Sequence, residues 1–199
     1  MADGEGSRGY HHGDLRRTLV RAAVDAVAES GAAALSLRDL ARRVGVSHAA
    51  PAHHFGDKTG LLSAVAAEGF RLLEAALRTT WAESHDFLEV GVAYVDFAVS
   101  NPGYFEVMFS PELHDPDDAE LAQAKAASSQ LLFGPVAELG GEDVDVTRAG
   151  VAAWSTVHGL ATLWRNHVLP AELGDDVTVA ARSVLRYLFS PLGQAASGC

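Results

Sequence analysis

The fold of this chain is decided by the stretch Leu35–Leu62, LSLRDLARRVGVSHAAPAHHFGDKTGLL. It places three histidines, His48, His53 and His54, within seven residues, with a proline between the first and the second. Such a cluster has three interpretations: a metal site, a set of catalytic bases, or a polar helix that touches something outside the protein. The spacing of the residues around the cluster separates them.

Two short helices separated by a tight turn are predicted within this stretch. The first, Leu37–Arg43, follows Ser36, a residue type that caps helix N-termini, and the second, Ser47–His53, starts on another serine. Gly45 lies in the turn, where a positive φ is expected and a residue with a β-carbon would be strained. This spacing is typical of the helix-turn-helix, whose second helix enters the DNA major groove, but it fits an ordinary helical hairpin equally well.

The outward positions of the second helix strengthen the DNA interpretation, because they are small or hydrogen-bonding and none is acidic. Small side chains let a helix backbone approach base edges, whereas acidic groups would be repelled by phosphate. Pro51 lies four residues after Ser47, so the helix is expected to be short or tightened in its first turn. The predicted base-reading residues are Ser47, His48, Ala49, Ala52 and His53.

The histidine cluster fits a metal or catalytic site poorly. Adjacent histidines such as His53 and His54 diverge by about 100° on a helix, and no Cys, Asp or Glu lies at ligand spacing. The chain has no nucleophile-elbow motif and no phosphate-binding glycine loop, and Cys199 stands at its very end. We therefore expect no catalytic residue, no metal and no cofactor. A histidine-dependent enzyme remains an alternative, and substrate turnover abolished by His158→Ala would support it.

The length and composition of the chain restrict the classes of protein to which it can belong. The chain has 199 residues, of which 48% are hydrophobic and 21% charged, enough for one globular domain or a small domain fused to a larger one. A lone cysteine allows no internal disulfide and suits a reducing cytosol. No secretory signal is visible at the N-terminus, and the most apolar stretch, residues 150–168, is too polar to span a bilayer. We expect a cytoplasmic protein.

The net charge of −11 is unevenly distributed along the chain. Residues 1–58 hold eight Lys/Arg, seven Asp/Glu and five of the nine histidines, whereas residues 59–199 hold seven Lys/Arg and nineteen Asp/Glu. A near-neutral N-terminal segment that faces phosphate, with an acidic body repelled from it, would orient the molecule on DNA. An ordinary solvated acidic surface explains the acidic body equally well.

Helical periodicity extends over almost the whole chain and predicts an all-α protein of about nine helices. The first helix is expected to run from a cap at Asp14 to a stop at Gly31, and a long helix to open at Asp57. No alternating run predicts a strand. The remaining helices are predicted at about residues 86–100, 102–110, 117–139, 145–167 and 176–189.

These residues resemble a known family. The stretch Leu35–Leu62 is similar to the DNA-binding signature of the TetR/AcrR transcriptional regulators, in which a His-Phe-x-x-Lys segment and paired leucines follow a helix-turn-helix. Here His54–Lys58 and Leu61-Leu62 match that segment, and the chain from Tyr10 onward resembles the family's first helix. One position departs from the pattern. Where this chain has Ala52, the family often has an aromatic residue, usually a tyrosine whose hydroxyl would contact a phosphate.

The resemblance implies a homodimeric repressor that a small-molecule effector releases from a palindromic operator in double-stranded DNA. It divides the chain into an arm (1–11), a DNA-binding domain (12–73, with the helix-turn-helix at about 37–56), a helical effector-binding and dimerisation domain (74–192) and a tail (193–199). A helical module that keeps this fold but binds a protein partner is a further alternative. The predicted phosphate contacts are Arg16, Arg17, Ser36, Arg38, His54 and Lys58.

A Trp-x-x-x-His-Gly motif at 154–159 resembles that of one TetR subgroup. Trp154 and His158 are four residues apart and share a helix face, and the plainer interpretation is a helix contact with a buried, hydrogen-bonded histidine. Nearby aromatic residues at helical spacing fit a core as well as a pocket. The residues predicted to line an apolar effector pocket are Trp81, Phe87, Tyr94, Phe97, Phe105, Met108, Phe109, Trp154, His158 and Thr162.

The last two long helices are the candidates for a dimer interface. Two antiparallel amphipathic helices can pair with their symmetry mates as a four-helix bundle. A dimer places two reading helices in successive major grooves, about 34 Å apart. The alternative is that the same side chains only close the core of the monomer. They are Val151, Leu160, Leu163, Val179, Val184, Leu185 and Leu188.

Overall fold

A computed structural model of the chain describes residues 12–139 and 144–189, so the predicted arm and tail lie outside the described residues. The all-α class is confirmed, and no described helix is long and apolar enough to cross a membrane. Two 3-10 turns, Pro111–Leu113 and Ala171–Leu173, connect longer elements. The nine α-helices of the described residues are α1 (His12–Ala34), α2 (Leu37–Val44), α3 (Ala50–Phe55), α4 (Lys58–Ser84), α5 (Phe87–Ser100), α6 (Pro102–Met108), α7 (Ala119–Leu139), α8 (Val146–Arg165) and α9 (Val177–Phe189).

Local capping signals set several helix ends where the sequence predicts them. The side chains of Ser36 and Asp57 each accept a hydrogen bond from the backbone N–H three residues later, at 3.5 and 2.9 Å, and so begin α2 and α4. Gly45 ends α2 with a φ of 76°. The predicted stop at Gly31 is confirmed as a break within α1, where φ is 78° and ψ is 157°.

Two predicted helix starts are wrong. The helix α3 begins at Ala50 instead of Ser47, because the N–H of Ala50 donates to the Ser47 carbonyl (3.0 Å) in a tight turn, and Pro51 then occupies the first turn of the helix. No side chain caps α3. The helix α1 begins at His12, so Asp14 lies inside its first turn.

The 27-residue helix α4 is the central element of the fold. Eleven of its residues are buried, and α1, α3, α5, α6 and α7 all pack against it. The helices α8 and α9 pack on α5 and so form the far side of the molecule. Because α4 is continuous, the domain boundary predicted after residue 73 falls inside one helix.

The helix α6 lies close against α1. Gly103 makes this approach possible, since a β-carbon at that position would lie 2.4 Å from the carbonyl oxygen of Val24. One turn further along α6, a carboxylate oxygen of Glu106 accepts a hydrogen bond from the N–H of Ala32 (2.8 Å), directly after the break in α1. A helix of the C-terminal part therefore holds the first helix of the N-terminal part.

Replacing Gly103 by alanine is expected to lower the free energy of unfolding by about 1–3 kcal/mol, because the backbone of α1 must move to admit the methyl group. Gly134 provides the control, since its β-position is open. Alanine at position 134 has a higher helix propensity than glycine, but it would precede a proline, which disfavours helical backbone. The free energy of unfolding of Gly134→Ala is therefore expected to stay within about 1 kcal/mol of the parent. Urea unfolding measures both variants, and equal effects would contradict the close approach of α6 and α1.

Candidate nucleic-acid interface and ligand cavity

The predicted base-reading side chains form one exposed face of the molecule. Two of them lie on α3 and three lie in the turn before it, while the opposite side of α3 is anchored by the buried Pro51. The face is therefore presented by a tight turn and a short helix together. The exposed residues are Ser47, His48, Ala49, Ala52 and His53.

Lys58, a predicted phosphate contact, is tied to the end of α1. Its Nζ donates to the carbonyl oxygen of Ala33 (2.9 Å), the residue next to Ala32, whose N–H is bound by Glu106. Lys58 is the first residue of α4, and Glu106 lies on α6. Two adjacent residues of α1 thus connect the start of α4 with a helix of the C-terminal part.

Arg16 is held by contacts within the protein. Its guanidinium lies 5.5 Å from the centre of the Phe55 ring, and it forms an ion pair with Glu120 of α7 at 3.1 Å. A phosphate that bound Arg16 would compete with that carboxylate. The other predicted phosphate contacts on α1 to α3 divide by exposure: Arg17 and Arg38 are exposed, and Ser36 and His54 are half-buried.

A cavity of about 360 Å³ opens between α4, α5, α6, α7 and α8. Four of the ten residues predicted to line an effector pocket border it, namely Tyr94, Met108, Phe109 and Trp154. Sequence reasoning missed the wall formed by α4, the first 3-10 turn and α7, because amphipathic helices show which face is apolar but not which helices meet. That wall consists of Phe70, Leu73, Pro111, Lys125, Ser128, Ser129, Leu132 and Phe133.

The other predicted pocket residues do not border this cavity. Phe97 and Phe105 are buried in the core, and Phe87 borders a smaller hollow. Trp81 packs against a histidine ring near the end of α4. Thr162 is exposed and donates its hydroxyl proton to a carbonyl of its own helix.

The last predicted pocket residue, His158, belongs to a hydrogen-bonded chain beside the cavity. Nε1 of Trp154 donates to the hydroxyl oxygen of Tyr94 (3.1 Å), and this hydroxyl lies 2.9 Å from Nδ1 of His158. The tyrosine oxygen accepts a hydrogen bond from the indole N–H, and we assign its own proton to the bond with Nδ1, which places the His158 proton on Nε2. Phe105 and Phe109 contact the imidazole, with ring centres 5.1 and 4.6 Å away. Trp154 and His158 share one helix face, as their spacing predicts.

Burial favours the neutral forms of Tyr94 and His158. It lowers the pKa of His158, and the nearby positive charge of Arg165 lowers it further. Burial raises the pKa of Tyr94 above its usual value. A second histidine, His114, donates from Nε2 to the Val107 carbonyl (2.6 Å), and burial lowers its pKa as well.

The protein is expected to lose stability as the pH falls from 7.5 to 5. A histidine whose pKa is lowered in the folded state is protonated first in the unfolded chain, so acidification below about pH 6.5 favours unfolding. His158→Asn keeps an acceptor for Tyr94 and removes the titration. It should flatten the pH dependence of the free energy of unfolding by up to about 1.4 kcal/mol per pH unit.

Urea unfolding at several pH values measures this dependence, and His85→Asn, at an exposed position that already has a positive φ, is the matched control. His85→Asn should leave the slope as it is in the parent. Parallel slopes for the parent and both variants would contradict a buried, neutral His158.

Comparison with known proteins identifies the family. Residues 19–65 match the model of the bacterial regulatory proteins of the tetR family. Residues 87–189, more than half of the chain, match the tetracyclin repressor-like C-terminal domain. The chain therefore belongs to the TetR family of transcriptional regulators.

Individual proteins and solved structures are also similar to this chain. The HTH-type transcriptional regulator BetI of Stenotrophomonas maltophilia (strain R551-3) is 29% identical over 126 residues, which make up 59% of this chain and 63% of the relative's length. A solved protein with unknown function from Rhodococcus sp. RHA1 is 33% identical, with a TM-score of 0.77 over 91% of this chain and 96% of that one. FadR of Bacillus subtilis, solved in complex with stearoyl-CoA, is 19% identical and shares the fold, with a TM-score of 0.69 over 87% and 97% of the two chains.

Proposed function

We propose that this protein is a homodimeric repressor of the cytoplasm, which a small-molecule effector releases from a palindromic operator. The observation that carries the proposal is the exposed face of α3 and its preceding turn, where no acidic side chain occurs among the five outward residues. Arg17 and Arg38 are exposed on the two preceding helices, so cations are available for the phosphate backbone. The matched regulator BetI supports the same role. Regulation is favoured over the enzyme and protein-binding alternatives for these reasons.

The departure at Ala52 shapes how DNA would be bound. Ala52 is exposed and offers no hydroxyl to a phosphate. His53 and His48 are exposed beside it, and each carries ring nitrogens that bond to a base edge or to a phosphate. We assign base reading to this face, and we assign the backbone contacts to Arg16, Arg17, Ser36, Arg38, His54 and Lys58.

Exposed apolar side chains on α8 and α9 support the homodimer. Val151, Leu163 and Val179 are 45%, 46% and 56% exposed, and Tyr187, which the sequence prediction omitted, is 72% exposed. Large apolar side chains exposed on neighbouring helices indicate a surface that a partner covers. The other predicted interface residues differ: Leu160 and Leu185 are buried in the monomer core, Val184 is half-buried, and the side chain of Leu188 lies outside the described residues.

An effector in the cavity would act on DNA binding through α6. Met108 and Phe109, at the end of α6, border the cavity, whereas Gly103 and Glu106 contact α1. A ligand that moves α6 therefore moves the end of α1 and the attached Lys58. Release is then a shift between two populations, one with the reading faces spaced for DNA and one without. The stearoyl-CoA bound by FadR supports a ligand site in this fold.

We also place the chain in the subgroup with the Trp-x-x-x-His-Gly motif.

Selection from a pool of random duplexes at one stated salt concentration is expected to enrich a palindrome. On the enriched duplex, Lys58→Met should weaken binding to all sequences alike and reduce the slope of log K against log salt by about 0.9, because one phosphate contact is lost. His48→Ala should relax the preference at one base pair, by roughly 1–3 kcal/mol of discrimination.

Arg148→Met is the control, since this arginine is exposed on α8 and pairs only with the neighbouring Asp145 among the described residues. It should change neither the preferred sequence nor the salt slope. An unchanged preference for His48→Ala would contradict the assigned reading face. A folded dimer that binds no duplex at low salt would favour the protein-binding alternative.

A further inference from the structure

The cavity contains one hydroxyl that the protein leaves without a partner. Ser128 lies on α7, is 3% exposed and borders the cavity, and within the described residues it makes no hydrogen bond. Its neighbour Ser129 donates to the Lys125 carbonyl of its own helix (2.9 Å), which is the usual solution for a serine inside a helix. The Ser128 residue borders the cavity, so its hydroxyl is available to a ligand group that pairs with it.

The other uncharged polar side chains at the cavity wall already have hydrogen-bond partners. The indole N–H of Trp154 donates to Tyr94, and the Tyr94 hydroxyl donates to His158. Ser129 is committed to its own helix. Among the uncharged lining residues, Ser128 is therefore the one whose hydroxyl is left for a ligand.

One cation, Lys125, lines the cavity, and it stands three residues before Ser128 on the same helix. Its Nζ lies 5.9 Å from the centre of the Phe70 ring, and no carboxylate of the described residues forms an ion pair with it. It is one of only two lysines in the chain, in a segment where acidic residues outnumber basic ones nineteen to seven. A lysine without an ion pair in such an acidic body is available to an anion.

We propose that the cavity binds an amphipathic monocarboxylate, with the carboxylate held by Lys125 and Ser128 and an apolar body among the aromatic walls. This inference rests on the proposed function and specifies its effector. A carboxylate only accepts hydrogen bonds, so it matches the ammonium and hydroxyl donors together. One cation balances one negative charge, whereas a phosphate dianion would leave charge uncompensated. The body would lie among Phe70, Phe109, Phe133 and Trp154.

The volume of the cavity limits the size of the ligand. A volume of about 360 Å³ lies near the lower end of the range for small-molecule sites, about 300–1,000 Å³. It accommodates a compact acid, whereas a complete coenzyme A ester would have to extend beyond it. An amine of the same skeleton would be repelled by Lys125, and an alcohol would lose the charged contact.

Isothermal titration calorimetry with two matched series tests this proposal: octanoate, octanol and octylamine, and phenylbutanoate, phenylbutanol and phenylbutylamine. In at least one series the acid should bind about tenfold or more tightly than the alcohol, and the amine should bind most weakly, because a charge-assisted hydrogen bond is lost. Lys125→Met should abolish the preference for the acid and retain alcohol binding, which also shows that the variant is folded. Ser128→Ala should weaken acid binding several-fold.

Arg148→Met removes a positive charge from the same domain at a side chain that is 88% exposed, and it should leave the preference for the acid intact. Acid and alcohol binding equally, no binding by any of the six compounds, or an unchanged preference in Lys125→Met would each overturn the proposal. Duplex selection without ligand separates this result from the proposed function. A palindrome without acid preference overturns only the ligand class, and acid preference without duplex binding overturns only DNA regulation.

Discussion

The break in α1 at Gly31 is the constraint on which both halves of the molecule depend. With φ at 78°, the backbone leaves the helical region in a way that glycine alone tolerates at low cost. In an unbroken helix the N–H of Ala32 would bond to the carbonyl of Ala28. Here it is instead bound by Glu106 of α6, and the carbonyl of Ala33 accepts from Lys58 of α4. The break releases the N–H of Ala32, and the end of α1 leaves the carbonyl of Ala33 without a helical partner. These two backbone groups connect α1 with α6 and α4.

These connections make α6 the shared wall of the two functional regions. Gly103 brings its start to within contact of α1, and its end borders the cavity. Arg165 of α8 holds α6 in place, since it donates to the Pro102 carbonyl (3.2 Å) and its guanidinium lies 5.1 Å from the centre of the Phe105 ring. On the proposed function, a ligand in the cavity and DNA at α3 would be coupled through one packed helix. That coupling would be reciprocal, because each would change the affinity for the other by the same factor.

Structural features that depend on local chemistry are predictable from the sequence. Ser36, Gly45 and Asp57 act through their own backbone or that of near neighbours, so their roles can be read from spacing. The start of α3 was missed although Pro51 was visible, because a tight turn at Ser47 replaced the side-chain cap that serine suggests. Here backbone geometry prevailed over capping preference.

The cavity wall and the dimer surface depend on tertiary contacts and were only partly predictable. Tyr94 and Trp154 are predicted because they are aromatic residues at helical spacing. Lys125 and Ser128 are absent from the prediction, because polar residues on an amphipathic helix usually face solvent. Leu160 fits an interface by periodicity but is buried in the monomer core. Periodicity shows that a face is apolar, and only the packing of helices shows what covers it.

The central claim is that Glu106 of α6 positions the end of α1 and Lys58 for DNA binding. The operator affinity of Glu106→Ala tests this claim most directly. Glu112→Ala is the control, since it removes the same charge from an exposed position in the 3-10 turn that follows α6. If Glu106 positions the end of α1 and Lys58, its loss should weaken binding to the selected duplex by roughly fivefold or more. Electrostatics alone predicts an increase in affinity for the duplex, because removing a negative charge favours binding to phosphate. Affinity equal to or above that of Glu112→Ala, with both proteins folded, would contradict the account.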